Sequence, residues 1–403
     1  MFQLAVSARI RGPIDVTRFE RAAARLVIRH PILCSRLTVS DGEVVQWRDS
    51  PRPSFECIDV SGGTERQADL LLSARADDPV DMFRENPFRI VLARTDPDQA
   101  FLLLMAHHLF FDWSCIHKLF QDYLELLRAG SDRVAEPPWS SGESSYLSYC
   151  RREQEMVRDG TYDRRASYWL DYLDQADPTL HLPHRPPDPA QVMWDAVPLK
   201  LSPESTRAFS DRARRLGVSN FQLTAATIFH TLRELTGQDD LLLSASADAR
   251  RPPFLRTVGQ FADFFILRQR GQDAGLSDDA IRAAAREAVT GMTKLLPFHY
   301  FADQLGWLGD RVGKGFSMTE ANVNFQPVAP VRPKSEGPRA FEISPFSLTA
   351  RDVLRSTPYH GVALSWVINP WPDAMAGWIR YDSTLVRPEV AQAVATSWLN
   401  AVS

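Results

Sequence analysis

The sequence predicts an α/β fold of the α+β type, divided into two lobes. With 403 residues the chain is long enough for two to three structural units, at about 100–200 residues per unit. Both halves mix strand and helix patterns, and the strands come in hairpin-like pairs rather than in strict strand–helix alternation. A Pro-rich stretch over residues 178–189 separates the halves. We therefore expect lobes at 1–177 and 196–403, joined by a linker over 178–195.

Apolar periodicity predicts the individual elements, since a spacing of two residues is typical of strands and 3.6 of helices. The first strand is predicted over residues 2–10, before a helix that Asp15 or Thr17 caps. Further strands are predicted over 42–48, 88–93, 100–106, 196–201, 241–247, 321–325, 341–348, 361–368 and 376–381. Further helices are predicted over 64–85, 113–130, 143–173, 203–216, 220–235 and 277–297, with a closing helix from Pro388.

Composition and charge argue against several classes of protein. The 46 Lys and Arg residues against 50 Asp and Glu give a formal charge of −4, so nucleic-acid binding is not expected. No long apolar run or leader pattern indicates a membrane span or secretion. The four cysteines are widely spaced, which argues against a disulfide framework and a structural zinc site. We expect a cytoplasmic protein with reduced thiols and without a metal.

The segment HHLFFDW is the most informative motif. His107 and His108 close a strongly apolar strand, and Asp112 follows four residues after the second histidine. Neighbouring strand side chains point to opposite faces, which argues against both histidines binding one metal ion. A neutral imidazole at His108 can take a proton from an attacking amine or hydroxyl, with Asp112 organising the site. The alternative is a buried histidine pair, with Asp112 capping a helix that begins at Trp113.

HHxxxD at such a strand-to-helix junction resembles the motif of the condensation-domain superfamily of nonribosomal peptide synthetases. That superfamily shares its HxxxD core with chloramphenicol and carnitine acyltransferases. Four other stretches occur in the expected order and resemble further segments of the family: IRHPILCSR at 28–36, VGQFADF at 258–264, NVNFQ at 322–326 and GWIRYDSTL at 377–385. The resemblance therefore covers most of the chain.

The resemblance implies a pseudo-dimer of two chloramphenicol-acetyltransferase-like lobes in a V shape, with the active site in an interlobe tunnel. Acyl or peptidyl carrier proteins would deliver the substrate as a phosphopantetheine thioester, so the chain itself would bind no cofactor and no metal. A small-molecule amine or alcohol would be the other partner. Two lobes in one chain already form such a site, so we expect a monomer.

The resemblance also implies roles for individual residues. His108 would be the catalytic residue, as general base or as positioner of the nucleophile, and His107 would be structural. Asp112 would form a salt bridge with the arginine before the VGxF segment, best matched by Arg250. Such a pair would hold the loop rather than transfer protons. The backbone N–H of Trp113 would help to stabilise the oxyanion.

The chain departs from the family pattern beside this motif. The family usually has Gly after the Asp, where this chain has Trp113. The indole would either narrow the tunnel and stack on a flat substrate group, or rotate into the core beneath the following helix. Cys34 replaces the Arg of the first segment, and residues 262–264 replace VNT. Cys115 is expected to pack as a small hydrophobic side chain.

Our functional hypothesis is a free-standing condensation enzyme of natural-product biosynthesis, since the chain begins with Met and ends shortly after the last helix. We expect it to join a carrier-bound acyl or aminoacyl thioester to an amine, or as second choice to a hydroxyl. One alternative is a catalytically inactive, condensation-like docking module. Another is an acyltransferase that uses acyl-CoA or a free small-molecule acceptor.

Overall fold

The computed structural model describes residues 3–48, 54–129, 144–182, 194–271, 276–313, 317–326, 341–346, 348, 361–371 and 374–402. The strands in this part of the chain, numbered in order, are β1 (Gln3–Arg11), β2 (Ser35–Ser40), β3 (Glu43–Arg48), β4 (Phe55–Asp59), β5 (Phe88–Asp96), β6 (Gln99–His107), β7 (Trp194–Lys200), β8 (Asp240–Asp248), β9 (Ala262–Arg270), β10 (Ala321–Phe325), β11 (Glu342–Pro345), β12 (Leu364–Trp371) and β13 (Ala374–Asp382). The helices are α1 (Val16–Arg29), α2 (Glu65–Asp77), α3 (Trp113–Ala129), α4 (Tyr146–Arg158), α5 (Thr161–Tyr172), α6 (Pro203–Leu216), α7 (Asn220–Thr236), α8 (Asp278–Thr293), α9 (Gly306–Gly313) and α10 (Pro388–Val402).

The chain divides into two compact units, and each is assembled from separate segments. The first unit comprises Met1–Gln154, Arg250–Phe261 and Ala329–Ser356. The second comprises Glu155–Ala249, Ala262–Val328 and Thr357–Ser403. After β8 the chain therefore leaves the second unit, contributes twelve residues to the first, and returns as β9.

The first unit contains a five-stranded sheet in the order β11–β1–β6–β5–β4, in which the β4–β5 pair is parallel and the others are antiparallel. The central strand β6 is buried on both faces, which explains its continuous apolar sequence. Leu102 and Leu104 face the core formed with α1 and α3, whereas Leu103 and Met105 face α2. This packing fixes β6, and with it the histidine pair at its end, within the unit.

Helices α1 and α3 cover one face of this sheet. Asp15, one of the two caps predicted from the sequence, caps α1 by accepting a hydrogen bond from the N–H of Arg18. Tyr123 of α3 donates its hydroxyl hydrogen to the carbonyl of Phe19 in α1, over 3.0 Å. A further contact joins the end of α1 to α3, where His30 Nε2 lies 2.6 Å from Asp122 Oδ2.

The second unit contains a six-stranded mixed sheet in the order β7–β13–β12–β10–β8–β9. Its core includes the fully buried Trp366 of β12 and Trp398 of α10. The Trp398 indole donates a hydrogen bond to Thr227 Oγ1 in α7 over 3.0 Å. Together the two units confirm the predicted α+β class, since strands and helices are mixed in both.

Two predicted helices are shorter or divided in the structure. The helix expected over 64–85 ends as α2 at Asp77, because Asp78 precedes a proline and adopts an extended ψ of 122°. The helix expected over 143–173 divides into α4 and α5 at Gly160, whose φ of 71° a helix does not accommodate. The strands β2, β4 and β9 were not predicted at all, since each is short or lacks a clean two-residue alternation.

The predicted lobe boundaries differ from the observed division. Helix α5 belongs to the second unit, where Trp169 is part of the core. Near its start, the stretch predicted as a linker contains Leu180 and Leu182, which are buried in that same core. The N–H of Leu180 donates to Glu320 Oε2 over 2.9 Å. Residues 183–193 of the predicted linker lie outside the described residues.

None of the helices in the described part of the chain is both long and apolar enough to cross a membrane. Within the same residues, no group of three or more His, Cys, Asp and Glu side chains is arranged to hold a metal ion.

Candidate active site

The end of β6 is folded into a tight turn around His107. Its carbonyl accepts hydrogen bonds from the N–H groups of Phe110 and Phe111, over 3.0 and 3.2 Å. Its Nδ1 accepts the N–H of Leu109 over 3.2 Å. Burial, and then the neighbouring His108, lower the pKa of His107 below its usual 6.5. His107 is thus a buried, neutral residue that shapes the turn.

The His108 ring is partly buried beside this turn. Burial lowers the pKa of His108 below 6.5 and outweighs three smaller effects that raise it. These are a hydrogen bond to its own backbone, the charge of Asp112 and a hydrogen bond with the Gln260 side chain. A lowered pKa leaves the imidazole neutral at pH 7, which is the form that accepts a proton.

The two carboxylate oxygens of Asp112 have separate partners. Oδ1 accepts the N–H of Cys115 over 2.9 Å and so caps α3. Oδ2 accepts the N–H of Phe261 over 2.9 Å and lies 2.8 Å from Arg250 Nη2. Asp112 therefore caps the helix and forms the ion pair at the same time, so the two alternatives considered for it are both present.

Arg250 is the buried cation of this cluster. Its side chain is 3% exposed and that of Asp112 is 2% exposed, so the two charges compensate each other away from solvent. The guanidinium also donates to the carbonyls of Thr257 and Gly259, over 3.0 and 3.2 Å. Its charged end lies 4.3 Å from the centre of the Phe261 ring.

Cys115 contributes more than apolar packing to the site. Its Sγ accepts the N–H of Gly259 over 3.1 Å and donates to the carbonyl of the same residue over 3.0 Å. It also accepts a hydrogen bond from Arg250 Nη2 over 2.9 Å. Burial, followed by the charge of Asp112, raises the pKa of Cys115 to about 12. The thiol is therefore neutral and able to donate, and it is not a thiolate nucleophile.

Tyr146 of α4 was not among the residues singled out from the sequence. Its hydroxyl donates to the carbonyl of Gln260 over 3.1 Å. Its ring covers Gly259 so closely that a Cβ added there would lie 2.1 Å from a ring carbon. This contact is the physical reason for the glycine. Neither the position of Tyr146 nor the polar role of Cys115 could be found from sequence spacing, because both depend on contacts with a segment more than a hundred residues away.

Trp113 begins α3 and packs against the core of the first unit. Its ring meets that of His117, one turn later, edge-on at 4.9 Å between ring centres. Packing against the core was one of the two orientations considered for this indole, and the other, in an interlobe tunnel, stays a prediction. The backbone N–H of Trp113 lies in the first helical turn, where N–H groups lack acceptors within the helix.

The structure thus brings all five residues singled out from the sequence into the first unit, namely His107, His108, Asp112, Trp113 and Arg250. Arg250 comes from the twelve-residue segment that the chain inserts between β8 and β9. The ion pair implied by the resemblance joins this segment to α3. Chemically, the arrangement offers a neutral imidazole at His108 beside the N-terminus of α3. The buried ion pair of Asp112 and Arg250 holds that N-terminus in place.

The sequence model of the condensation domain matches residues 1–306. The chain therefore belongs to the condensation-domain family of nonribosomal peptide synthetases. It is 26% identical over 325 residues to one of the linear gramicidin synthase proteins of Brevibacillus parabrevis, an alignment that covers 76% of this chain and only 6% of the synthase. It is 27% identical over 317 residues to the phosphinothricin tripeptide synthetase PhsC of Streptomyces viridochromogenes, covering 75% of this chain and 29% of the synthetase.

Solved structures share the fold over the whole chain. The X-domain from teicoplanin biosynthesis matches with a TM-score of 0.78 at 19% identity, covering 100% of this chain and 89% of the X-domain. A further structure contains that X-domain in complex with OxyB. The SgcC5 protein of Streptomyces globisporus matches with a TM-score of 0.76 at 20% identity, covering 100% and 91% of the two chains. At these identities the likeness shows the fold.

Proposed function

We propose that the chain is a condensation enzyme that joins a carrier-bound acyl or aminoacyl thioester to an amine, forming an amide. The observation that carries the proposal is the neutral, partly buried His108 beside the buried Asp112–Arg250 ion pair. His108 is the group that takes a proton from the attacking amine or holds that amine in place. A hydroxyl acceptor, forming an ester, is the second choice.

The acyl group would arrive as a phosphopantetheine thioester on a carrier protein. Family membership supports this proposal, because the relatives include peptide synthases and synthetases. In such a reaction the C–N bond forms as the thioester C–S bond breaks, and the pantetheine thiol leaves with a proton. Catalysis would come mainly from orienting the two substrates, with the N–H groups at the start of α3 stabilising the oxyanion.

A catalytically inactive docking module is the second candidate function. Two observations favour it: Trp113 stands where the family usually has Gly, and the fold matches an X-domain known in complex with another protein. The residues around His108 argue for the enzyme instead. A docking module would need the buried ion pair for its fold, but it would have no use for a neutral, partly buried imidazole beside the N-terminus of α3.

Intact-mass detection of acyl transfer tests the proposal. A carrier protein loaded with an acyl group is incubated with a panel of amines and alcohols, in the presence of wild type, His108→Ala or His181→Ala. His181 is the matched control, because its side chain is 62% exposed and belongs to the other unit. We expect transfer with wild type and with the control, and loss of at least a hundredfold with His108→Ala.

The productive acceptor decides between amide and ester. If the acyl group is transferred from acyl-CoA but from no carrier protein, the donor is a free thioester and not a carrier-bound one. A folded wild type that binds the carrier and transfers no acyl group would support the docking module and overturn the enzyme.

A further inference from the structure

The segment from Thr257 to Phe261 has its backbone held at nearly every residue. The carbonyls of Thr257 and Gly259 accept hydrogen bonds from Arg250, over 3.0 and 3.2 Å. The N–H of Gly259 donates to Cys115 Sγ over 3.1 Å. The N–H of Phe261 donates to Asp112 Oδ2 over 2.9 Å. All of these partners are themselves buried.

Side chains of the same segment are anchored as well. Val258 lies in the core of the first unit at 3% exposure. The Phe261 ring is 1% exposed and packs against Tyr146 and Tyr149, at 5.4 and 4.3 Å between ring centres. With a buried residue on each side, Gln260 has little freedom to move. The Thr257 hydroxyl donates to the carbonyl of Ser144 over 2.7 Å, so Gln260 is the remaining polar side chain of this stretch, and it extends from a fixed backbone.

We propose that Gln260 is a positioning residue for His108: the clamped segment presents the Gln260 amide to the imidazole, and their hydrogen bond sets the orientation of the ring. The meaning of this contact for catalysis rests on the proposed function, whereas the contact itself does not. Tyr146 is the second part of the device, because its hydroxyl holds the Gln260 carbonyl over 3.1 Å.

The direction of the effect on His108 follows from its surroundings. Within the described part of the chain, the charges that act on it include those of His107 and Asp112, and Arg250 neutralises the charge of Asp112. The hydrogen bond with Gln260 raises the pKa of His108 and partly offsets the lowering by burial. Removing the amide should therefore lower the pKa further, and a carboxylate in its place should raise it.

Nuclear magnetic resonance titration of the His108 ring tests this without any substrate. The variants are Gln260→Leu, which removes the amide, and Gln260→Glu, which adds a charge at the same length. Gln121→Leu is the matched control, since Gln121 lies exposed on α3. The His108 signal is assigned by its absence in His108→Ala. We expect a lower midpoint in Gln260→Leu, a higher one in Gln260→Glu and no change in the control.

Identical midpoints in wild type, Gln260→Leu and Gln260→Glu would overturn the proposal. If Gln260→Leu does not fold, Tyr146→Phe serves instead, because it keeps the ring over Gly259 and removes the hydroxyl that holds Gln260. Its midpoint should move in the direction of Gln260→Leu by a smaller amount, and an unchanged midpoint would contradict us. In an active enzyme the acid limb of the rate profile should shift in parallel. Shifted midpoints without any acyl transfer would leave the positioning contact in place and remove the enzymatic function.

Discussion

The buried pair of Asp112 and Arg250 shows how much one carboxylate determines at the scale of the residue. One oxygen caps the start of α3, and the other binds a guanidinium and a backbone N–H. Such a pair need not stabilise the fold relative to apolar residues. The pair matters because removing either charge leaves the other buried without a partner, which destabilises the fold.

A double-mutant cycle measures this dependence. Asp112→Asn and Arg250→Met should each lower the free energy of unfolding by about 3–5 kcal/mol, because each leaves one buried charge without its partner. The double variant should lose clearly less than the sum. Urea denaturation provides the values, and Asp211→Asn, in an exposed pair on α6, is the control expected to change little. Additive losses would mean that the two charges are not coupled.

The lowered pKa of His108 predicts the pH dependence of the proposed reaction. The base form is the neutral imidazole, so activity is present above the pKa and is lost as the pH falls through it. Since that pKa lies below 6.5, the acid limb of kcat/KM should have its midpoint below pH 6.5. Rates of acyl transfer between about pH 4.5 and 8 check this, since that range brackets the pH at which histidines titrate. An acid limb centred above pH 6.5 would contradict the assignment of His108 as base.

At the scale of elements, the site depends on the junction between α4 and the segment that crosses from the second sheet. Tyr146 lies against Gly259 with no room for a side chain between them. The same glycine exchanges two hydrogen bonds with Cys115. Because packed interiors do not yield to extra atoms, this junction should be sensitive to a single methyl group.

Gly259→Ala tests the junction. The added Cβ would lie 2.1 Å from the Tyr146 ring, so we expect a loss of about 1–3 kcal/mol in unfolding free energy and a displaced segment. Gly306→Ala is the matched control, since nothing lies within 4 Å of a Cβ built there. Thermal denaturation of both variants measures the difference. Equal stability of the two variants would show that the Tyr146 ring can move aside without cost.

At the scale of the whole molecule, the two units are not two consecutive pieces of chain. The first needs Arg250–Phe261 from the second half of the sequence. The second needs α5 and the start of the predicted linker, which carry Trp169, Leu180 and Leu182 into its core. A division at residue 178 therefore removes essential parts from both.

Expression of fragments tests this description. Fragment 1–177 lacks the partner of the Asp112 carboxylate, and fragment 196–403 lacks α5, so neither should show a cooperative unfolding transition alone. Fragment 155–403 retains α5 and residues 178–182 and should be the more helical of the two C-terminal fragments by circular dichroism. Cooperative unfolding of both 1–177 and 196–403 would support the boundaries predicted from the sequence.

Local patterns in the sequence were sufficient for most of the elements and for part of the site. Periodicity identified β5, β6 and the apolar face of α3, because the spacing of apolar residues follows from which faces of an element are buried. The motif of His107, His108 and Asp112 was equally visible, because these polar residues stand at or just after the end of a strongly apolar strand. The helix cap at Asp15 is equally local.

Among the distant residues that complete the site, the resemblance pointed to Arg250, whereas only the tertiary structure revealed the contacts of Cys115 and Tyr146. Cys115 gave no sign in the sequence that its thiol would bind both polar groups of Gly259, and Tyr146 gave none that its ring would require that glycine. The division of the chain was also hidden, because membership of a unit depends on contacts between segments and not on composition. Periodicity reports which face of an element is buried, whereas the partner across that face is chosen by the packing of the whole chain.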